Sequence, residues 1–226
     1  MSRERWTSIA ASIASVDGDS LCFAVRELLD IRAAAITLMS GQHRSLLCVE
    51  GVEADDATSL EDAQFTVGEG PTVDACGTGR VVEEPHLSSA HARWPVFVPM
   101  ALEAGAAAVF AFPLCIGAAR FGALTVYADN SGWLSPAAQA DAVVMADALA
   151  RRLVVIQAGT ADDQLAFGLD AAVGHRAEIH QASGIVAVQL GIGIVAALVR
   201  LRAHAFATDR PLLAVAVDVV EGRLRL

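Results

Sequence analysis

The stretch that most constrains the fold is the apolar run at 184–199. A helix that crosses a bilayer needs about 20 predominantly apolar residues. This run falls short of that, and Gln189, Gly191 and Gly193 interrupt it. It therefore reads as two packed helices meeting at Gly191-Ile192-Gly193. Extending the pattern in both directions gives three short helices, at 175–190, 194–208 and 211–224. Leu198, Leu201, Ala205, Leu213, Ala216 and Val220 recur at helical spacing and form the expected core of a small three-helix bundle. A bundle of this size is marginal alone, so it is expected to lean on a preceding helix or on a second copy.

The chain has 226 residues, enough for one large domain or two ordinary ones. It is 54% hydrophobic and 19% charged, which supplies a core and argues against general disorder. Aromatic residues make up only 5%, so the cores must be built from Ala, Val, Leu and Ile. There is no lysine. A phosphate-loop lysine, a Schiff-base lysine and a lysine general base are all excluded.

The net charge of −10 argues against a surface coated with phosphate-binding groups, but the charge is uneven. Residues 170–226 hold Arg176, Arg200, Arg202, Arg210, Arg223 and Arg225 against Asp170, Glu178, Asp209, Asp218 and Glu221. That balance of +1 leaves −11 on residues 1–169, so an anionic partner is expected at the C-terminal end. Cys22, Cys48, Cys76 and Cys115 lack a C-x-x-C spacing and read as reduced, partly buried thiols of a cytoplasmic protein. The N-terminus shows no signal-peptide core, and no segment reads as a membrane span.

Ahead of the tail, helices and strands are mixed. Trp6, Ile9, Ala10 and Ile13 mark one face of an N-terminal helix, and residues 21–29 form the next. Strands are expected at 33–40 and 45–52 as a hairpin, at 80–84, at 106–116 and at 122–129. Residues 53–65 read as an acidic connecting segment with room for one helix, and residues 72–78, which follow Pro71, as a short helix. Residues 93–103 are amphipathic. Residues 136–157 form a long helix whose Ala138, Ala142, Met145, Leu149, Leu153 and Ile156 share a buried face. The pattern is that of an α+β sandwich around a largely antiparallel sheet. We divide the chain into an N-terminal helix (1–19), a mixed domain (20–157), a connector (158–169) and a helical domain (170–226), with a helical lead-in at 164–172.

Two resemblances follow from particular residues. Gly68-Glu69-Gly70-Pro71 followed by Asp74-Ala75, then Arg93-Trp94-Pro95, Phe112-Pro113-Leu114 and Phe121-Gly122-Ala123-Leu124, resemble a GAF domain over residues 20–155. Such a domain implies an antiparallel sheet sandwiched by helices, and a pocket between sheet and loops for an unidentified small molecule. Gly68, Gly70, Pro71 and Asp74 are its candidate pocket residues. Glycine at the first two lets backbone approach a ligand, or simply shapes a turn. The lysine-bearing signature of cyclic-nucleotide GAF domains is absent, and no cysteine lies in a bilin-attachment context. His86 and His91 lack metal-like spacing, so no cofactor or metal is expected.

In the tail, Gln181-Ala182-Ser183-Gly184, then 197–206 with Leu201-Arg202, then 213–216, resemble the ANTAR domain, an all-α module of bacterial transcription antiterminators. The domain order resembles that of actinobacterial-type GAF–ANTAR regulators. The resemblance implies a non-enzymatic, signal-responsive cytoplasmic regulator, without membrane contact, that binds paired RNA stem-loops as a homodimer. Its candidate RNA-binding residues are Arg176, His180, Ala182, Gly184, Arg200, Arg202 and Ala205. Arg200 and Arg202 are two residues apart, about 200° around a helix, so they point to different sides. Ser183 stands where the family usually has a basic residue. Two other functions stay open at this stage. One is a thiol enzyme of the free methionine sulfoxide reductase type, using Cys76 or Cys115. The other is a scaffold whose bundle binds protein.

Overall fold

In a computed structural model the structure describes residues 3–16, 20–40, 43–51, 54–157, 177–208 and 210–226. The expected lead-in helix at 164–172 lies outside the described residues, as does Arg176. In chain order the elements begin with α1 (Arg3–Ser15), α2 (Leu21–Leu29), β1 (Ala33–Ser40) and β2 (His43–Gly51). Next come α3 (Ala54–Val67), α4 (Pro71–Thr78), β3 (Val82–Glu84), a 3-10 turn (Leu87–Ala92) and α5 (Phe97–Glu103). Then follow β4 (Ala108–Ile116), β5 (Ala119–Ala128), α6 (Pro136–Gln157), α7 (Ala177–Leu190), α8 (Ile194–Ala207) and α9 (Leu212–Val220).

The five strands form one antiparallel sheet in the order β2-β1-β5-β4-β3. Alternation along the strands sorts their side chains to two faces. Phe110, Phe112 and Leu114 of β4 join Leu124 and Val126 of β5 on one face, where α1, α2 and α6 cover them with Ile13, Leu21, Val25, Met145 and Leu149. Val109, Ala111, Ala123 and Tyr127 occupy the other face, covered by Ala75, Leu87, Trp94, Phe97 and Val98. The central strands are buried on both sides, which is why their sequences read as apolar runs without alternation. Gly122 has φ +153°, and a Cβ there would lie 1.9 Å from the Thr37 carbonyl oxygen, so a side chain would part β5 from β1.

Helix α6 buries the expected Ala142, Met145, Leu149 and Leu153. Arg5 of α1 reaches the buried Asp141 at 2.6 Å, and Arg152 donates to the Ile13 carbonyl at 2.7 Å, fixing α1 along α6. One expectation fails here. Cys22 and Cys48 form a disulfide, and Cys76 and Cys115 are not disulfide-bonded. The packing of α2 on the sheet sets their Cα atoms 6.1 Å apart, within reach of a disulfide. Their sequence separation of 26 carries no such signal.

The C-terminal helices form a bundle with Ile179, Ala182, Val186, Ala197, Leu201, Ala205, Leu212, Val215, Ala216 and Val219 inside. The break between α7 and α8 falls at Gly191 (φ +64°), and the two axes meet at 104°. No single helix among the described residues is long and apolar enough to cross a membrane. The expected core assignment needs one change: Leu213 is exposed, and Leu212 fills the core instead. Leu212 shares its face with the buried Val215, Ala216 and Val219, at spacings of 3, 1 and 3. Helix α9 also stops at Val220, short of the expected 224. Gly222 turns left-handed there, and the amides of Arg223 and Leu224 fold back onto the Asp218 carbonyl.

Candidate nucleic-acid interface

The bundle's arginines sort into distinct environments. Arg200 is exposed on α8, one turn from His204, and no acid pairs with it among the described residues. Arg210 and Arg223 converge on Asp218 at 2.5 and 2.7 Å. Hydrogen bonds from these two guanidinium groups hold the Asp218 carboxyl below its usual range. Arg223 also pairs with Glu221. Arg210 and Arg223 are thus already engaged within the protein.

Arg202 is engaged differently. Its guanidinium donates to the carbonyl oxygen of Phe65, at the C-terminal end of α3. It also lies over the Phe65 ring, 5.3 Å from the centroid. The His180 ring meets the same Phe65 edge-on, with centroids 6.0 Å apart. Phe65 is 4% exposed and belongs to the bundle's core cluster although α3 belongs to the sheet domain. Sequence reasoning did not find Phe65, and a segment read as an acidic connector gave no hint of it.

The remaining tail candidates divide by burial. Ala182 and Ala205 lie in the bundle core. Ser183 is 2% exposed, and its hydroxyl donates to the Ile179 carbonyl one turn back at 2.7 Å. A cation at this position would be buried without a counter-charge. A Cβ built on Gly184 would meet nothing within 4 Å, so the surface beside it is open. Val195, Val199 and Phe206 are exposed along α8, Phe206 at 78%.

In the sheet domain, the four candidate pocket residues occupy one segment but face different neighbours. Gly68 (φ +74°) closes α3, and a Cβ there would come within 2.9 Å of Nη1 of Arg202. Gly70 (φ +125°) has no room either, since its Cβ would strike Gln64 at 2.4 Å. Pro71 is buried as the first residue of α4. Asp74 accepts from Arg93 at 2.9 Å and from the Trp94 indole at 3.2 Å. Between them, Glu69 accepts from the amides of Val96 and Phe97, at 2.6 and 2.9 Å, and so ties the loop to the start of α5.

Beneath this loop lies a buried polar network that the sequence did not announce. Glu61 is 2% exposed and accepts hydrogen bonds from Thr37 (2.8 Å), Thr72 (2.9 Å) and the Tyr127 hydroxyl (2.6 Å). Gln64 donates to Tyr127 at 2.7 Å and accepts from the Thr72 amide at 2.8 Å. Burial, with the negative Glu61 beside it, pushes the Tyr127 phenol well above its usual range. Among the described residues no group of three or more His, Cys, Asp or Glu side chains could hold a metal ion. Cys76 is buried, and burial pushes the Cys115 thiol up despite the nearby Arg120.

Fold and site define a chain in which an α+β sandwich precedes a helical bundle with an arginine-bearing face. Residues 168–220 match the ANTAR domain family, so that bundle is an ANTAR domain. The sandwich has the GAF fold. It is similar to the GAF domain of an Acinetobacter phosphoenolpyruvate-protein phosphotransferase, at 17% identity and a TM-score of 0.54, over 70% of this chain and 97% of that one. It is likewise similar to the GAF domain of the Coxiella burnetii phosphoenolpyruvate-protein phosphotransferase (14%, TM-score 0.53, 69% and 94%). A third similar structure is the free methionine-R-sulfoxide reductase of Neisseria meningitidis in complex with its substrate (13%, TM-score 0.51, 70% and 90%). A comparison with curated proteins gives no match. The chain therefore joins a domain of GAF fold to an ANTAR domain.

Proposed function

We propose that this protein is a cytoplasmic, signal-responsive regulator that acts by transcription antitermination, its ANTAR domain binding paired RNA stem-loops as a dimer. The observation that carries the reading is the ANTAR match over residues 168–220. On α8, Arg200 and His204 supply donors for phosphate, and Phe206 supplies an exposed ring on which an unpaired base can stack. Arg202, on another side of α8, is the further cation of the proposed contact set. Gly184 leaves room for close approach, while Ala182 and Ala205 act by setting how closely α7 and α8 pack. Arg176 and His180 complete the proposed contact set. Each bundle carries few free arginines, so useful affinity comes from two copies engaging two hairpins at once. The GAF-fold domain supplies the signal, with an effector meeting the segment from Gly68 to Asp74.

Gel-shift titration of the full chain with a paired-hexaloop hairpin RNA tests this reading. Binding is expected to weaken steeply with salt, and Arg200→Ala is expected to lower affinity roughly tenfold and reduce the salt slope by about one. A folded dimer that fails to bind at low salt overturns it.

A second reading, in which α8 docks protein, draws on exposed Val195, Val199 and Phe206. Salt-insensitive binding distinguishes it, because apolar contacts release no counterions. The thiol-enzyme reading loses ground, since a buried Cys76 and a Cys115 pushed toward its neutral form make poor thiolate nucleophiles.

A further inference from the structure

We propose that the GAF-fold domain holds the ANTAR domain closed by taking Arg202 as the C-terminal cap of its own helix α3. The inference rests on the RNA-binding reading above. The last four carbonyls of a helix lack partners within it, and the helix dipole makes that end attractive to a cation. Arg202 fills this role at the Phe65 carbonyl while its guanidinium lies over the Phe65 ring. Gly68 leaves room for the approach, because a Cβ there would lie 2.9 Å from Nη1 and oblige the guanidinium to shift. The His180 ring meets the same Phe65 edge-on. Two residues of the proposed RNA contact set are therefore occupied by one aromatic residue of the other domain.

A guanidinium bonded to a buried carbonyl and stacked on a ring cannot simultaneously present the same N–H groups to a phosphate. RNA and α3 compete for Arg202, so reading RNA requires the contact to open. Helix α3 is suited to control it. Four residues before the Gly68 turn, Gln64 sits in the buried polar network, and Glu61 lies one turn further back. Beyond the turn, Glu69 is tied to α5. A rearrangement of that network moves the end of α3 and with it the carbonyl that holds Arg202.

The test uses the full chain, the paired-hexaloop RNA, and two variants that disturb the contact from the GAF side. Gly68→Ala places a methyl against Nη1, and Phe65→Leu keeps the apolar filling but removes the ring. Gly68→Ala, which disturbs the charge-assisted hydrogen bond, is expected to bind RNA roughly tenfold more tightly than the wild type, and Phe65→Leu, which removes the ring but keeps the carbonyl, about threefold more tightly. Adding Arg202→Ala to either is expected to abolish the gain. Amide exchange across the end of α3 is expected to speed up in Arg202→Ala alone, which reports the docking without RNA. Wild-type affinity in both GAF-side variants, with Arg202→Ala still weakening binding, overturns the closed state and leaves the RNA reading intact. Unchanged exchange in Arg202→Ala overturns the cap itself. Failure of the wild type and both opened variants to bind at low salt overturns the RNA reading and this inference together.

Discussion

Tyr127 shows how a single side chain can carry a domain's polar interior. It is the chain's only tyrosine, fully buried, and its hydroxyl both donates to Glu61 and accepts from Gln64. Tyr127→Phe keeps the shape of the ring but leaves buried polar groups short of a partner. The expected cost is about 1–3 kcal/mol, read as a lower midpoint in urea unfolding. The phenol's raised pKa also has a consequence at high pH. The folded state holds the proton longer than the unfolded chain, so this stabilisation is complete below about pH 10 and is lost as pH rises through the folded value. Absorbance titration of the folded protein, free of other tyrosines, is expected to show ionisation only as the protein unfolds. A phenol that titrates normally in the folded protein contradicts the network. None of this was legible in the sequence, because Thr37, Glu61, Gln64, Thr72 and Tyr127 come from four different elements that only the tertiary fold brings together.

Elements were far more legible than contacts. The period of α6 and the glycine break between α7 and α8 are local signals, and both appear where the pattern placed them. What failed was phase and partnership. Leu213 and Leu212 differ by one position, and only packing of the face shared with Val215, Ala216 and Val219 decides which is buried. Cys22 and Cys48 lie on α2 and β2, and only their packing makes them a pair. That cross-link closes a loop of 26 residues, for which chain entropy gives about 3–4 kcal/mol. Cys22→Ser is therefore expected to lower thermal stability by up to this amount, and reductant is expected to do the same to the wild type but not to the variant. At the end of α9, Asp218 joins two arginines with a lowered pKa. Its stabilisation is present above about pH 4, the unfolded value, and fades as pH falls through the folded one. Asp218→Asn is expected to abolish that acid limb for the C-terminal bundle and to lower its melting temperature at neutral pH. An acid limb that persists unchanged in the variant removes Asp218 from its cause.

At the scale of the whole molecule, the two domains are bound into one through Phe65. The bundle's core cluster contains ten residues of its own helices and this one residue from α3. A three-helix core of this size rarely supplies more than about 3–5 kcal/mol. Losing a buried phenylalanine removes about 2–3 kcal/mol of apolar burial, most of that margin. The contact that restrains Arg202 is then also part of what keeps the bundle folded. Opening must replace it, either with RNA or with the same surface of a second copy. A fragment beginning at residue 158 is accordingly expected to show reduced helicity and a broad thermal transition by circular dichroism. It should sharpen when hairpin RNA is added, because a ligand that binds only the folded state draws the equilibrium toward it. A fragment that melts as cooperatively as the bundle does in the full chain, without RNA, shows instead that Phe65 is dispensable and that α3 restrains a domain already complete.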